Sequence, residues 1–355
     1  MTGDPGKHTM SQLNTSRRDL AKGLAMFGLA ASAGAAAVPA FAQSAGGSAD
    51  AAVKSAYDQF KTLNEGKNAD YIPALAKVPS NYFGIALVTP QGKMSTAGDI
   101  DPTFSIQSIS KVFTMALVIQ ESGEATIENG VGVDATGQVF NSIVAVEKDR
   151  GKEMNALVNP GAIATTGTVK GSSPDEVWAK IIGIHSDFAG RKLDVNQEVY
   201  KSESDTNQRN RAISMLMKAY ERFPGDPAVA VDLYTRQCSI AVNAKDLGVM
   251  AATLANGGKN PITKKQVIEA RHVPGILAVM ATAGLYDDSG KWFFHTGLPG
   301  KSGVGGGLIA VSPGKFGIGT FAPPLDAAGN SVRGQRAIAA ISDALGGNPL
   351  ASKPA

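Results

Sequence analysis

The sequence predicts an α/β fold: an antiparallel sheet flanked by helices from both ends of the chain, with a helical domain inserted between its strands. Three observations predict it. Short strand-like runs stand near both ends, at 83–88, 304–311 and 316–321. The stretch from 123 to about 260 is mostly helical in its apolar spacing, and a last helix is expected at 335–345. The 355 residues, 43% hydrophobic and 18% charged, have an ordinary soluble composition and about two domains' worth of core. The α/β part is expected over 61–105 and 270–350, the helical part over 106–269, and the cleft between them.

Residues 1–42 have the make-up of an export signal. Ser16-Arg17-Arg18-Asp19-Leu20 and Lys22 lead into an Ala- and Gly-rich apolar run at 24–38, too short to remain as a membrane span. Ala40-Phe41-Ala42 offers small residues to a signal peptidase. The paired arginines resemble a twin-arginine signal, with Leu20 and Ala21 where that motif prefers Phe and Leu. The expected location is therefore periplasmic or exported. Cleavage removes four basic and two acidic residues and leaves 30 basic against 29 acidic.

Residues 43–60 are expected to act as a leader, flexible over 43–50, with helical spacing beginning at Val53, Tyr57 and Phe60. FGIALV at 83–88 and a second extended piece running into Gly98-Asp99 enclose the turn Pro90-Gln91-Gly92. A helix is expected over 104–123, started near Asp101-Pro102 and Ser105, buried through Ile109, Val112, Phe113, Ala116 and Leu117, and stopped by Gly123. Asn243 and Asp246 form a capping-box pattern ahead of a helix that Gly257 ends. Residues 170–174 and 187–196 look like exposed loops.

Ser108 and Lys111 stand one helical turn apart on the 104–123 segment, which brings their side chains together. A serine is a poor nucleophile until a neighbour takes its proton, and a desolvated lysine can be that neighbour. Far downstream, Lys301-Ser302-Gly303 precedes a strand-like run, where small residues let the backbone approach a substrate and the Val304 N–H can face a developing oxyanion. S-x-x-K followed by K-S-G is the pairing seen in serine β-lactamases and penicillin-binding enzymes.

With these motifs in place, the chain resembles the bacterial-type glutaminases, a family sharing the β-lactamase/transpeptidase-like fold. The stretches that carry the resemblance are DYIPAL at 70–75, FSIQSISK at 104–111, NALVNPGAI at 155–163, SESDTNQRNRAI at 202–213 and YTRQCSI at 234–240. DLGVMAATLANGG at 246–258, LYDDSGKWFFHTGLPGKSGVGGG at 285–307 and SVRG at 331–334 complete it. The resemblance implies hydrolysis of L-glutamine to L-glutamate and ammonia through a serine γ-glutamyl intermediate. It implies Ser108 as nucleophile and Lys111 as its partner, with Tyr286 or Tyr234 relaying protons. Tyr71, Asn159, Glu203, Asn210, Tyr234, Tyr286 and Val304 are implied to hold the substrate together with Ser108. A dimer or tetramer is also implied. Two departures stand out: Pro160 follows Asn159 in place of the usual alanine, biasing Asn159 towards extended backbone, and Asn207-Gln208 replaces Gly-Asp.

Several classes are excluded or weighed against this reading. With Cys238 as the only cysteine, there is no internal disulfide and no cysteine metal site. His8, His185, His272 and His295 are scattered, so neither metal nor cofactor is expected. Cys238 reads as a small buried residue and His295 as structural. A net charge of +3 without a basic block argues against nucleic acid. A periplasmic β-lactamase or D-Ala-D-Ala peptidase would need an S-D-N or Y-x-N motif, and Tyr234-Thr235-Arg236 lacks the asparagine. A non-catalytic glutamine sensor would have little reason to keep both Ser108 and Lys111.

Overall fold

The computed structural model describes residues 48–352; the export signal and the first part of the leader lie outside them. The strands are β1 (Gly84–Val88), β2 (Met94–Gly98), β3 (Phe104–Ser105), β4 (Ala241–Val242), β5 (Gly300–Ser302), β6 (Gly307–Ser312) and β7 (Phe316–Phe321). Five of them form one antiparallel sheet in the order β2-β1-β7-β6-β5, while β3 and β4 pair separately. The expected antiparallel sheet, built from both ends of the chain, is present.

Each face of this sheet has its own cover. Helices Ala49–Phe60 and Val332–Leu345 bury Val53, Ala56, Ile338 and Ile341 against Ile85, Leu87, Leu308 and Ile318. Part of the expected leader is thus an ordered helix from Ala49, capped by the Ser48 side chain. On the opposite face lies helix Ala244–Ala255, whose predicted capping box of Asn243 and Asp246 is present. Arg191 holds the same Asp246 through two nitrogens, at 2.7 and 2.5 Å. Beyond this helix a second hydrophobic core fills the helical layer, centred on Ile109, Phe113, Ile163, Phe188, Ile240 and Met250. The described residues form one compact unit, so the α/β and helical parts are layers of a single body.

Three expected elements differ in detail. The 104–123 helix divides: Phe104-Ser105 pairs with Ala241-Val242, a 3-10 turn occupies Gln107–Ile109, and the α-helix begins at Ser110. Pairing with β4 claims backbone that local periodicity had assigned to a helix. Lys301-Ser302 itself forms β5, and residues 303–306 make a turn, so the strand expected from Val304 begins at Gly307 as β6. The loop expected at 187–196 starts only at Gly190, because helix Pro174–Ala189 runs on to a left-handed glycine cap.

The sheet and helix Ala244–Ala255 touch through missing side chains. A Cβ on Gly317 would sit 2.1 Å from the Ala252 nitrogen, and one on Gly319 would sit 2.4 Å from the Gly248 nitrogen. These are backbone atoms that cannot swing aside. Gly317→Ala should therefore lower unfolding stability by about 3 kcal/mol in urea titration; a loss under 0.5 kcal/mol would show that the layers can part without penalty.

Candidate active site

Backbone geometry sets up the site at the start of the Ser110–Ser122 helix. The Ile106 N–H donates to the Ile240 carbonyl at 2.8 Å, after which Gln107 adopts a left-handed φ of +50°. A non-glycine residue in that region stores strain and persists only where its surroundings hold it. Here the Gln107 Nε2 donates to Ser105 Oγ and to Glu203 Oε2, each at 3.2 Å. The turn leaves Ser108 buried but open to a cavity, 7% exposed. Neither its N–H nor that of Val304 finds an acceptor among the described residues.

That cavity encloses about 290 Å³. Ser108, Tyr71, Asn159, Glu203, Asn210, Tyr234 and Val304, seven of the residues expected from the sequence, line it. Tyr71 stands at its mouth, 55% exposed, while Glu203 is only 6% exposed. Tyr286 packs behind Phe140, ring centroids 4.8 Å apart, and its hydroxyl donates to the Ser302 carbonyl at 3.2 Å. Sequence reasoning missed Gln107, Phe140, Asn141, Thr206 and Arg209 as lining residues. It noted Asn207 only as a loop substitution. The strained backbone of Gln107 has no sequence signature in this chain.

Lys111 lies beneath the lining, 1% exposed. Its Nζ donates to Asn159 Oδ1 at 2.7 Å and to the Leu157 carbonyl at 3.4 Å, and no hydrogen bond joins it to Ser108. Asn159 Oδ1 also accepts from the Tyr234 hydroxyl at 3.2 Å, while its Nδ2 donates to Asn210 Oδ1 at 3.0 Å. Pro160 does not disturb this arrangement. It falls in the first turn of helix Asn159–Gly167, where its missing N–H has no intrahelical partner to lose.

Burial sets the electrostatics. It lowers the Lys111 ammonium to about 8, against the pull of Cys238 and Glu203. Lys301, fully buried and donating to the Gly284 and Ser302 carbonyls, is lowered well below the ordinary lysine value, first by burial and then by Lys111. Desolvation, rather than a neighbouring positive charge, is what lowers Lys111. Burial raises Glu203 to about 7, opposed by its Gln107 hydrogen bond and by Lys111. The Tyr286 phenol is also pushed up by burial, with the adjacent Ser108 side chain holding it lower.

The remaining residues of interest lie outside this cluster of roles. Cys238 is buried, its thiol raised to about 12, mostly by burial. His295 is exposed beside Phe294 and does not line the cavity. His185 is buried between the Ile181 and Ser110 carbonyls, with burial lowering it to about 4. Among the described residues, no three of His, Cys, Asp and Glu gather as a metal site.

An antiparallel sheet with both terminal helices on one face, and an S-x-x-K turn in the helical layer on the other, defines a protein of the β-lactamase-like fold class. Within that class the sequence matches the Glutaminase family model over residues 66–348, and the chain belongs to the glutaminase family. It is 54% identical over 293 residues to a glutaminase of Colwellia psychrerythraea, covering 82% of this chain and 94% of that one. It is 51% identical over 294 residues to a glutaminase of Mycobacterium ulcerans, covering 83% and 92%. Among solved structures, "Probable glutaminase ybaS" superposes with a TM-score of 0.83 at 47% identity, covering 84% of this chain and 96% of that one. Mglu in its tris and glutamate form gives a TM-score of 0.80 at 35% identity, covering 85% and 67%.

The buried amine has a stability consequence with a definite sign. Lys111 holds its proton less tightly folded than unfolded, so its burial penalises the folded state below a pH of about 8. The penalty fades as pH rises towards 10.5, the ordinary lysine value. Thermal melts of wild type and Lys111→Met should show wild type gaining on the variant between pH 7.5 and about 10; a constant gap would contradict the assigned depression.

Proposed function

We propose that the chain hydrolyses L-glutamine to L-glutamate and ammonia through a γ-glutamyl ester on Ser108. One observation carries the reading. A buried carboxylate, Glu203, and a buried serine share one cavity of about 290 Å³ above a desolvated amine. A free amino acid brings an ammonium for Glu203 and a carboxylate for neutral donors such as Asn210 and the Tyr71 hydroxyl. Its carboxamide then reaches Ser108.

In this mechanism neutral Lys111 takes the Ser108 proton, directly or through the Tyr286 or Tyr234 hydroxyl. The Ser108 oxygen bonds to the amide carbon, and the oxyanion lies between the N–H groups of Ser108 and Val304. The carbon–nitrogen bond breaks as the Lys111 ammonium protonates the departing nitrogen, which leaves as ammonia. Water then gives a proton to Lys111 and its oxygen to the acyl carbon. Ser108 leaves, recovers the proton, and glutamate is released. The solved Mglu structure in a glutamate form supports an amino-acid-sized occupant for such a pocket. We further propose export through the segment at 1–42, supported by its paired arginines and apolar run, and assembly into a dimer or tetramer, supported by the family resemblance.

Two outcomes test the reading. Ser108→Ala should release less than 1% of the wild-type ammonia from glutamine while keeping its melting curve, and a chromogenic cephalosporin should stay intact with either protein. Ammonia release by the variant at the wild-type rate removes Ser108 from the reaction. Separately, Lys111 must be neutral and Glu203 ionised in the free enzyme, so kcat/KM should fall below pH 8 with unit slope and steepen below about 7. Glu203→Gln should abolish the lower break and keep the upper one; both breaks persisting would exclude Glu203 from substrate binding.

A further inference from the structure

Glutamine hydrolysis uses one cavity and gives its neighbour nothing to do. Beside the Ser108 cavity lies an open groove of about 620 Å³, and Tyr71, Phe140 and Val304 line both. Long-range contacts build its walls. The segment at 65–71 is tied to the chain beyond β7: the Lys67 N–H donates to the Leu325 carbonyl at 3.0 Å, and the Leu325 N–H donates to the Lys67 carbonyl at 2.8 Å. The turn at 326–329 closes on the Asp326 carboxylate, which accepts from the Ala328 and Asn330 N–H groups at 3.0 and 2.9 Å and from Gln335 Nε2 at 2.8 Å.

The lining is suited to a neutral, apolar group. Ala69, Leu325, Ala327, Ala328 and Val304 contribute to it. Of its charged residues, Asp326 is taken up by the turn and Glu65 pairs with Arg336 at 2.7 Å. Lys67 and Asp70, both exposed, are of opposite sign, so the groove selects neither a cation nor an anion. A concave surface of this kind beside a polar reaction centre is the ordinary form of a site for an apolar substituent.

The groove meets the cavity at its reacting end. Val304, whose N–H has no acceptor among the described residues and faces the oxyanion in the reaction above, lines both. A Cβ on Gly329 would lie 3.6 Å from the Tyr286 ring and 3.8 Å from Val304 Cγ1, and Tyr286 in turn adjoins the Ser108 side chain. Glu203 and Asn210, at the amino-acid end, line the cavity and not the groove. With the amino acid at Glu203 and the carbonyl oxygen at Val304, the amide nitrogen is the part of the substrate left to carry an extension. The boundary it would cross includes Tyr71, a 55% exposed side chain and not a packed wall. We propose that the groove is a subsite for an apolar substituent on the leaving nitrogen, so that the chain also hydrolyses γ-glutamyl amides of apolar primary amines. This rests on the reading of Ser108 as a γ-glutamyl acceptor. The Ser108 oxygen bonds to the amide carbon, the carbon–nitrogen bond breaks, and the nitrogen takes the Lys111 proton and departs as a primary amine in place of ammonia. Water then cleaves the ester as before.

The test measures glutamate released from L-glutamine and from its N-ethyl, N-propyl and N-butyl γ-amides. The three amines differ little in basicity, so the series isolates burial of the chain. A methylene taken wholly from water is worth about fourfold, and an open groove removes about half of that free energy, so kcat/KM should rise about twofold per added carbon. Ala327→Asp and Ala328→Asp place a charge on the turn without touching the Ser108 cavity. Both should abolish the rise along the series and keep kcat/KM for glutamine within about twofold of wild type. Hydrolysis of glutamine but of none of the N-alkyl amides by wild type would overturn the subsite. So would rates that do not climb with chain length, or a climb that both aspartate variants retain. If wild type leaves glutamine itself intact, the Ser108 reading fails first and the subsite falls with it.

Discussion

The Asn159 amide is the joint on which the site depends. Its oxygen accepts from Lys111 and Tyr234, and its nitrogen donates to Asn210. One planar group thereby ties together four helices, each packed in its own way in the helical layer. An aspartate could accept the two donors but could not donate to Asn210, and would bury a second charge beside Glu203. A leucine would leave both Lys111 and Tyr234 with unmet donors. The asparagine is neutral, bifunctional and fixed by the first turn of its helix, and these properties let a cationic side chain be buried without a full counter-ion.

Much of the fold was legible because its signals are local. The capping box at Asn243, the glycine stop at Gly123 and the paired β-runs near the C-terminus act within a few residues of themselves, and the structure keeps all three. What escaped depends on distant partners. Phe104-Ser105 became a strand because Ala241-Val242 lies beside it, and Lys301-Ser302 because β6 does. Helix Ala49–Phe60 looked partly like a leader because its first residues are small and polar, although Val53 and Ala56 are buried against the sheet and the C-terminal helix.

The cavity shows the same division. The site residues that the family resemblance implied could be named from the sequence, and seven of them converge on one hollow. Gln107 could not be given a role that way. Its part is set by a positive φ. The direction of each titration shift also depends on packing. Two lysines and a glutamate ordinary in composition become a lowered ammonium, a second ammonium lowered further and a raised carboxyl only once they are sealed in.

The lone thiol of the chain ends helix Pro227–Cys238, the helix that presents Tyr234. Because Cys238 is enclosed and held protonated well above physiological pH, an alkylating reagent meets no competent sulfur while the helix stays packed. Modification of this protein by such a reagent therefore counts openings of that one wall of the cavity, with no second cysteine to confuse the signal. The chain carries a built-in clock for the breathing of its own binding pocket.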